Sequence, residues 1–209
     1  MNDEKNMCYT SLDEQIENAL FILNKNNELM DILDYVSTLN LPNFYIAAGS
    51  IFQTIWNYYD NKHLNYGIKD IDVIYYNDND ISVNTDLKYY DLINDYCKSK
   101  GYNYEIDVSN EARMHLWKKE KMNVEIKPYI NSEDAISRWI ATVHSIGITK
   151  ENDNIKIYAP YGLSDIYSRT IRPIKHMDNS KKIYDKKVES WSQRFDNLTV
   201  IEWWVCDFL

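Results

Sequence analysis

Asp70 and Asp72 stand two residues apart at the head of an apolar run, DIDVIYY, residues 70–76. In an extended strand, residues two apart share a face. Both carboxylates therefore project together, while Ile71, Val73 and Tyr75 turn to the opposite layer. Neighbouring carboxylates repel, and each raises the pKa of the other. A cation that prefers hard oxygen ligands, Mg²⁺ or Mn²⁺, removes that penalty. Upstream, the short apolar run 44–47 leads into Ala48-Gly49-Ser50, and Ile51, Ile55 and Tyr58 follow at helical spacing. Gly49 permits a sharp turn, and Ser50 suits the cap of the helix behind it. The free N–H groups at such a helix start, with the helix dipole, suit an anion such as a triphosphate.

A third acid has two candidates. Residues 102–109 alternate: Tyr104, Ile106 and Val108 face one way, and Asn103, Glu105, Asp107 and Ser109 the other. Either Glu105 or Asp107 can join the pair. Arg113 offers a planar fork that fits a phosphate or one of these acids. His63, His115, His144 and His176 are scattered, without H-E-x-x-H or cysteine partners, so a zinc centre is not indicated.

The elements that must position these groups begin with Ser11-Leu12-Asp13-Glu14, the S-x-x-E spacing of a capping box. Ile16, Leu20 and Leu23 continue that helix; Leu29, Ile32, Leu33 and Val36 form a second, closed before Pro42. A helix through Leu87, Ile93 and Tyr96 stops at Gly101. Beyond it come an amphipathic helix at 132–139, a strand at 155–159, a helix start at 162–168, and a last helix through Tyr184, Val188 and Trp191. The apolar tail VIEWWVCDFL is expected to dock on the core, with Trp203, Trp204 and Phe208 as a possible self-association surface. Residues 1–10 are polar and expected to be loosely ordered.

At 209 residues the chain fits one domain, placed at 11–209, with a substantial core. A formal net charge of −9 repels phosphate backbones, so a long nucleic-acid partner is disfavoured. The lysine clusters at 118–121 and 181–187 read as solvated faces, each able to meet a single nucleotide. Cys8, Cys97 and Cys206 are odd in number and widely spaced, as expected of reduced thiols in a cytoplasmic protein. No apolar run approaches the ~20 residues of a membrane span, so no membrane partner is expected.

Four runs together carry a resemblance. They are Ala48-Gly49 through Gln53-Thr54-Ile55-Trp56-Asn57; Gly67-Ile68-Lys69-Asp70-Ile71-Asp72; Asn110-Glu111-Ala112-Arg113-Met114-His115-Leu116-Trp117; and Ala159-Pro160-Tyr161-Gly162-Leu163-Ser164-Asp165. In this order they resemble a bacterial nucleotidyltransferase family, once a domain of unknown function, within the DNA polymerase β-like superfamily. The similarity covers roughly residues 44–195. It implies an α+β fold: a small mixed sheet flanked by helices, with two N-terminal helices and a C-terminal one. It implies Asp70, Asp72 and Asp107 as metal-holding catalytic acids, because the family carries an acid just before V-x-N-x-A-R; Glu105 is the alternative. It also implies nucleotide contacts from Gly49, Ser50, Gln53, Lys69, Asn110 and Arg113. The chain departs from the family at residues 141–149, where two threonines and an arginine are replaced, with His144 among the replacements. The expected activity is Mg²⁺- or Mn²⁺-dependent transfer of a nucleoside monophosphate from an NTP to a small-molecule or protein acceptor. The alternative is a related module that binds without turnover.

Overall fold

The computed structural model describes residues 3–152 and 154–204. Helix α1 (Asp3–Met7) precedes α2 (Leu12–Leu23) and α3 (Asn27–Thr38). The polar start is therefore helical where loose chain was expected, and Glu4 is held by Arg169 at 3.0 Å. The capping box forms as its spacing predicts: Ser11 accepts from the Glu14 amide, and Glu14 accepts from the Ser11 amide. Leu29, Ile32, Leu33 and Val36 are all buried in α3.

Strand β1 (Tyr45–Ala47) leads directly into α4 (Gly49–Tyr59), and β2 (Asp70–Tyr75) follows a long loop. Helix α5 (Val83–Lys100) ends at Gly101 in the left-handed conformation (φ 76°) and passes to β3 (Glu105–Asn110). A 3₁₀ turn (Glu111–Arg113) opens α6 (Met114–Met122), and α7 (Ser132–Ser137) comes next. A second 3₁₀ turn (Thr142–His144) precedes the hairpin of β4 (Gly147–Glu151) and β5 (Asn154–Tyr158). The chain then runs through α8 (Ser164–Tyr167), β6 (Thr170–Ile171), α9 (Lys181–Ser192) and β7 (Thr199–Val200).

The principal sheet has five strands in the order β3-β2-β1-β4-β5. Only β2 and β3 are parallel within it. That pairing needs a crossover, and α5 supplies it. One face of the sheet, with Ile46, Ile71, Val73, Tyr75, Ile106, Val108 and Ile148, packs on α2, α3 and the wholly buried stretch of α4. On the other face Tyr45, Ala47 and Ile74 are covered by Ile136 and Trp139. That cover stops short of Asp70 and Asp72, and the front of the sheet stays open there.

At the end of the described chain Trp203 is buried against Tyr184, ring centroids 5.7 Å apart, while Trp204 is exposed. Phe208 and Cys206 lie outside the described residues. Among the described residues no helix is long and apolar enough to cross a membrane.

Candidate active site

The pleat of β2 sends Ile71 and Val73 into the core and leaves Asp70 and Asp72 on the open face. Parallel pairing then sets Asp70 opposite Glu105 and Asp72 opposite Asp107. Because the register is in phase, all four carboxylates share one face. Burial first, then the charges of Asp70 and Asp107, push the Asp72 carboxyl up to about 7, while Lys187 opposes them. Asp107 is likewise raised, mainly by burial, with Asp70 and Glu105 adding to it and the Ser109 hydroxyl, 3.5 Å away, working against it. Among the described residues no hydrogen bond or ion pair satisfies Asp70 or Asp72.

These two acids open into a cavity of about 180 Å³. Its floor is Gly49 at the start of α4, and its far wall is α9, with Lys187, Ser190 and Trp191, continued by Arg194. The turn at Gly49 is tight. Ala48 holds φ 58°, uncommon for a residue with a side chain, and its amide donates to the Ile146 carbonyl at 2.8 Å. A Cβ on Gly49 would stand 2.7 Å from Gln53 Nε2. The amides of Gly49 and Ser50 have no intrahelical acceptor, as at any helix start.

A family model for nucleotidyltransferases matches residues 34–200. The chain belongs to that family. Among solved structures, an NMR structure described as revealing a CCA-adding enzyme head domain is similar with a TM-score of 0.74 at 24% identity. The match covers 89% of this chain and 95% of the other, and it establishes the polymerase β-like fold. None of the curated proteins matches the chain.

Within this nucleotidyltransferase fold the expected nucleotide contacts divide. Gly49, Gln53 and Lys69 line the cavity with Asp70 and Asp72. Ser50 does not: it is the second residue of α4, behind Ala48 at the N-cap, and its hydroxyl donates to the Ala47 carbonyl at 3.2 Å. Only its amide faces the helix start. Asn110 is fully buried, donating to the Asn77 and Asp80 carbonyls and accepting from the Ala112 and Asn77 amides. Its side chain is spent on holding the loop after β2. Arg113 pairs with Asp86 at 3.3 Å and donates to the Ile81 carbonyl, so its fork ties α5 to the turn after β3.

The acids divide as well. Glu105 lines the cavity with Asp70 and Asp72, whereas Asp107 opens into a neighbouring cavity. Among the described residues no three His, Cys, Asp or Glu side chains converge closely enough to hold a metal ion between them. The expected Asp70-Asp72-Asp107 ligand cluster is thus not assembled as a unit. The side chains instead form a ridge, because the strand pair spaces them and no turn draws them to one point. Asp70 and Asp72 nevertheless fit a hard cation: they offer two unpaired carboxylates, one of them in a desolvated position, to an ion that prefers oxygen ligands.

Three residues of the site escape a reading of local pattern. Lys187 belongs to a lysine run that resembles a solvated face, and Arg194 lies just past the end of the last helix. Arg194 donates to Gln53 Oε1 at 2.7 Å and to the Gly67 carbonyl, which pins the end of α9 over the Asp70 loop. Burial lowers its pKa, and the charge of Asp70 opposes that shift. Glu111 is buried beneath the acidic face; burial pushes it up to about 8, with Lys118 pulling it down and Asp107, Asp72 and Asp86 adding to the rise. No periodicity marks it.

His144, which replaces a family threonine, is buried among Phe52, Trp139 and Trp191, and its Nδ1 has no hydrogen-bond partner. Burial, and then Lys187, hold its pKa well below the ordinary 6.5. The folded protein therefore keeps this ring neutral, while the unfolded chain takes up a proton as pH falls through 6.5. Stability contributed here is complete above that pH and lost below it. At pH 5 the penalty reaches about 2 kcal/mol, from ~1.4 kcal/mol per pH unit. His144→Leu should flatten the fall in urea midpoint between pH 7 and pH 5 by that amount; an unchanged slope would contradict the assignment.

Proposed function

We propose that this protein transfers a nucleoside monophosphate from an NTP to a hydroxyl of a small-molecule or protein acceptor, with Mg²⁺ or Mn²⁺ held by Asp70 and Asp72. The observation that carries this reading is the charge arrangement across the smaller cavity. Two unpaired acids face Lys187 and Arg194 without pairing to them, at the amide end of α4. A bound triphosphate with its metal satisfies both sides at once: anionic oxygens meet Lys187, Arg194 and the Gly49 and Ser50 amides, and the carboxylates hold the cation. When bound, the metal neutralises charge on the phosphates and on the leaving pyrophosphate.

The remaining work is positioning. Lys69 and Lys187 hold the phosphates from opposite sides, and Arg194 fixes Gln53 and the Asp70 loop. The acceptor oxygen forms a new bond to the α-phosphorus, the bond to the β-phosphate breaks, and pyrophosphate leaves. The acceptor's proton passes to Asp107, which stands opposite Asp72 on the adjacent strand. An acceptor without a phosphate backbone suits the net charge of −9.

The direct test is a thermal-shift panel of ATP, CTP, GTP and UTP, each with and without Mg²⁺. At least one nucleotide should raise the melting temperature only with the metal, because a ligand of the folded state stabilises it by mass action. Lys187→Ala should cut that affinity roughly 10-fold, an ordinary value for one charge-assisted contact of about 1.5 kcal/mol. If no nucleotide stabilises the protein, the transferase reading fails.

A further inference from the structure

On the other side of the acidic ridge lies a larger cavity of about 470 Å³, the size of a small-molecule site. Val83 and Leu87, one turn apart on α5, form one wall; Met114 and Trp117, three apart on α6, form the other. Asp107 lines it as well. Val83, Leu87 and Trp117 are each substantially exposed, so the walls present apolar surface with nothing packed on it. The frame behind them is firm. Asp86 accepts from the Tyr75 hydroxyl at 2.6 Å and from Arg113, which locks the start of α5 to the turn that begins α6.

The charges around this cavity are mostly cancelled. Arg113 is paired with Asp86 at 3.3 Å, and Lys121 with Glu120 at 2.8 Å. Asp107 is left without a cationic partner among the described residues, and Glu105, Asp70 and Asp72 stand behind it on the same face. An entering anion would meet that uncompensated field, whereas a neutral or positively charged molecule would not. A flat apolar body can lie between the Leu87 and Trp117 walls, and a hydroxyl at its tip can donate to Asp107.

We propose that this cavity is the acceptor subsite, and that it takes a hydroxyl-bearing small molecule with an apolar, planar face and no phosphate of its own. The inference rests on the transferase reading above. It puts donor and acceptor in separate cavities, with the Asp72–Asp107 strand pair as the divide between them. It also favours a small molecule over a protein side chain as the acceptor.

The test uses the full chain labelled with 5-fluorotryptophan, with the Trp117 ¹⁹F resonance assigned by its loss in Trp117→Phe. Three probes of similar size are titrated: 2-phenylethanol, tyramine and phenyl phosphate. The neutral and cationic probes should move the Trp117 resonance saturably, with phenyl phosphate at least about 10-fold weaker, the scale of one unfavourable charge contact of ~1.4 kcal/mol. Leu87→Arg, at a position exposed enough to leave the fold intact, should abolish the shift by filling the cavity. A Trp117 resonance unmoved by all three probes overturns the proposal. So does equal binding of phenyl phosphate, or a shift that survives Leu87→Arg. The Mg²⁺-dependent nucleotide shift is recorded on the same samples. If it persists while the probes fail, the acceptor subsite alone is lost; if it is missing while Trp117 responds, the transferase reading is what fails.

Discussion

Replacing Asp72 with asparagine should make the metal-free protein more stable and abolish the proposed nucleotidyl transfer. In the folded state the Asp72 carboxyl titrates near 7, against an ordinary 3.8, because it is desolvated and faces Asp70 and Asp107. A raised acid pKa means that the folded state resists ionisation that the unfolded chain accepts freely. The penalty is absent below pH 4, grows as pH rises and is complete above 7. Its ceiling is about 4 kcal/mol at ~1.4 kcal/mol per unit, and partial access to water trims this to about 2 kcal/mol. In a chain of this size that is roughly 4–8 °C in Tm. Asp72→Asn should therefore melt higher than wild type at pH 8 without metal, and the two should converge at pH 4.

Mg²⁺ should stabilise wild type and leave Asp70→Asn/Asp72→Asn unmoved. In pyrophosphate release with Mg²⁺, and a cell extract as the source of acceptor, the double variant should lose roughly 10³-fold or more, the scale of removing the principal electrostatic stabiliser of a transition state. A lower melting point for Asp72→Asn would show that the acid is structurally satisfied. Undiminished pyrophosphate release would remove these acids from the chemistry.

The second large effect is far from the site. Arg169→Met should destabilise the fold by about 3 kcal/mol, the usual cost of removing one partner from a buried ion pair. Its side chain is 6% exposed and joins Glu4 of α1 at 3.0 Å to Asp60 at 2.6 Å, just past α4. It also donates to the Trp56 and Asp196 carbonyls, each at 3.3 Å. Methionine fills the space but removes the donor from the Glu4 carboxylate and the Asp196 carbonyl, while Asp60 keeps Lys62 at 3.0 Å and the Trp56 carbonyl keeps the Asp60 amide at 3.0 Å. A urea midpoint should fall accordingly, by roughly 6–12 °C if followed as Tm. Glu4→Gln, which keeps a hydrogen-bond acceptor on Arg169, should cost much less. Equal losses from the two substitutions would show that Arg169 acts through packing alone.

The acid face was readable from the chain because period-two alternation is local. Ile71 and Val73 on β2, and Ile106 and Val108 on β3, mark their strands' buried faces and so place Asp70, Asp72, Glu105 and Asp107 on the other. The capping box at Ser11 and the stop at Gly101 were readable for the same reason. β4 was not: its first three residues are buried in succession, without alternation, between β1 and β5. Pairing partners were also invisible, and they decide which acid belongs to which cavity. Asn110 and Arg113 fit a phosphate by residue type, yet the fold uses both to tie loops. Lys187 looked like solvent-facing charge because its own neighbours are lysines. Only the placement of α9 against Asp70 and Asp72 gives it a role.

That placement also sets an order of events during synthesis. The acids are complete at residue 107 of the chain, and Lys69 precedes them, but the cations on the far wall of their cavity arrive only at 187 and 194. At ~5–20 residues per second, the ribosome needs roughly 4–16 s to cover that interval. Throughout it, the chain lacks the α9 wall that carries Lys187 and Arg194 opposite the acids. If this cavity is the nucleotide site proposed above, capture waits for α9, and a chain stalled before that helix would lack Lys187 and Arg194 opposite the acids.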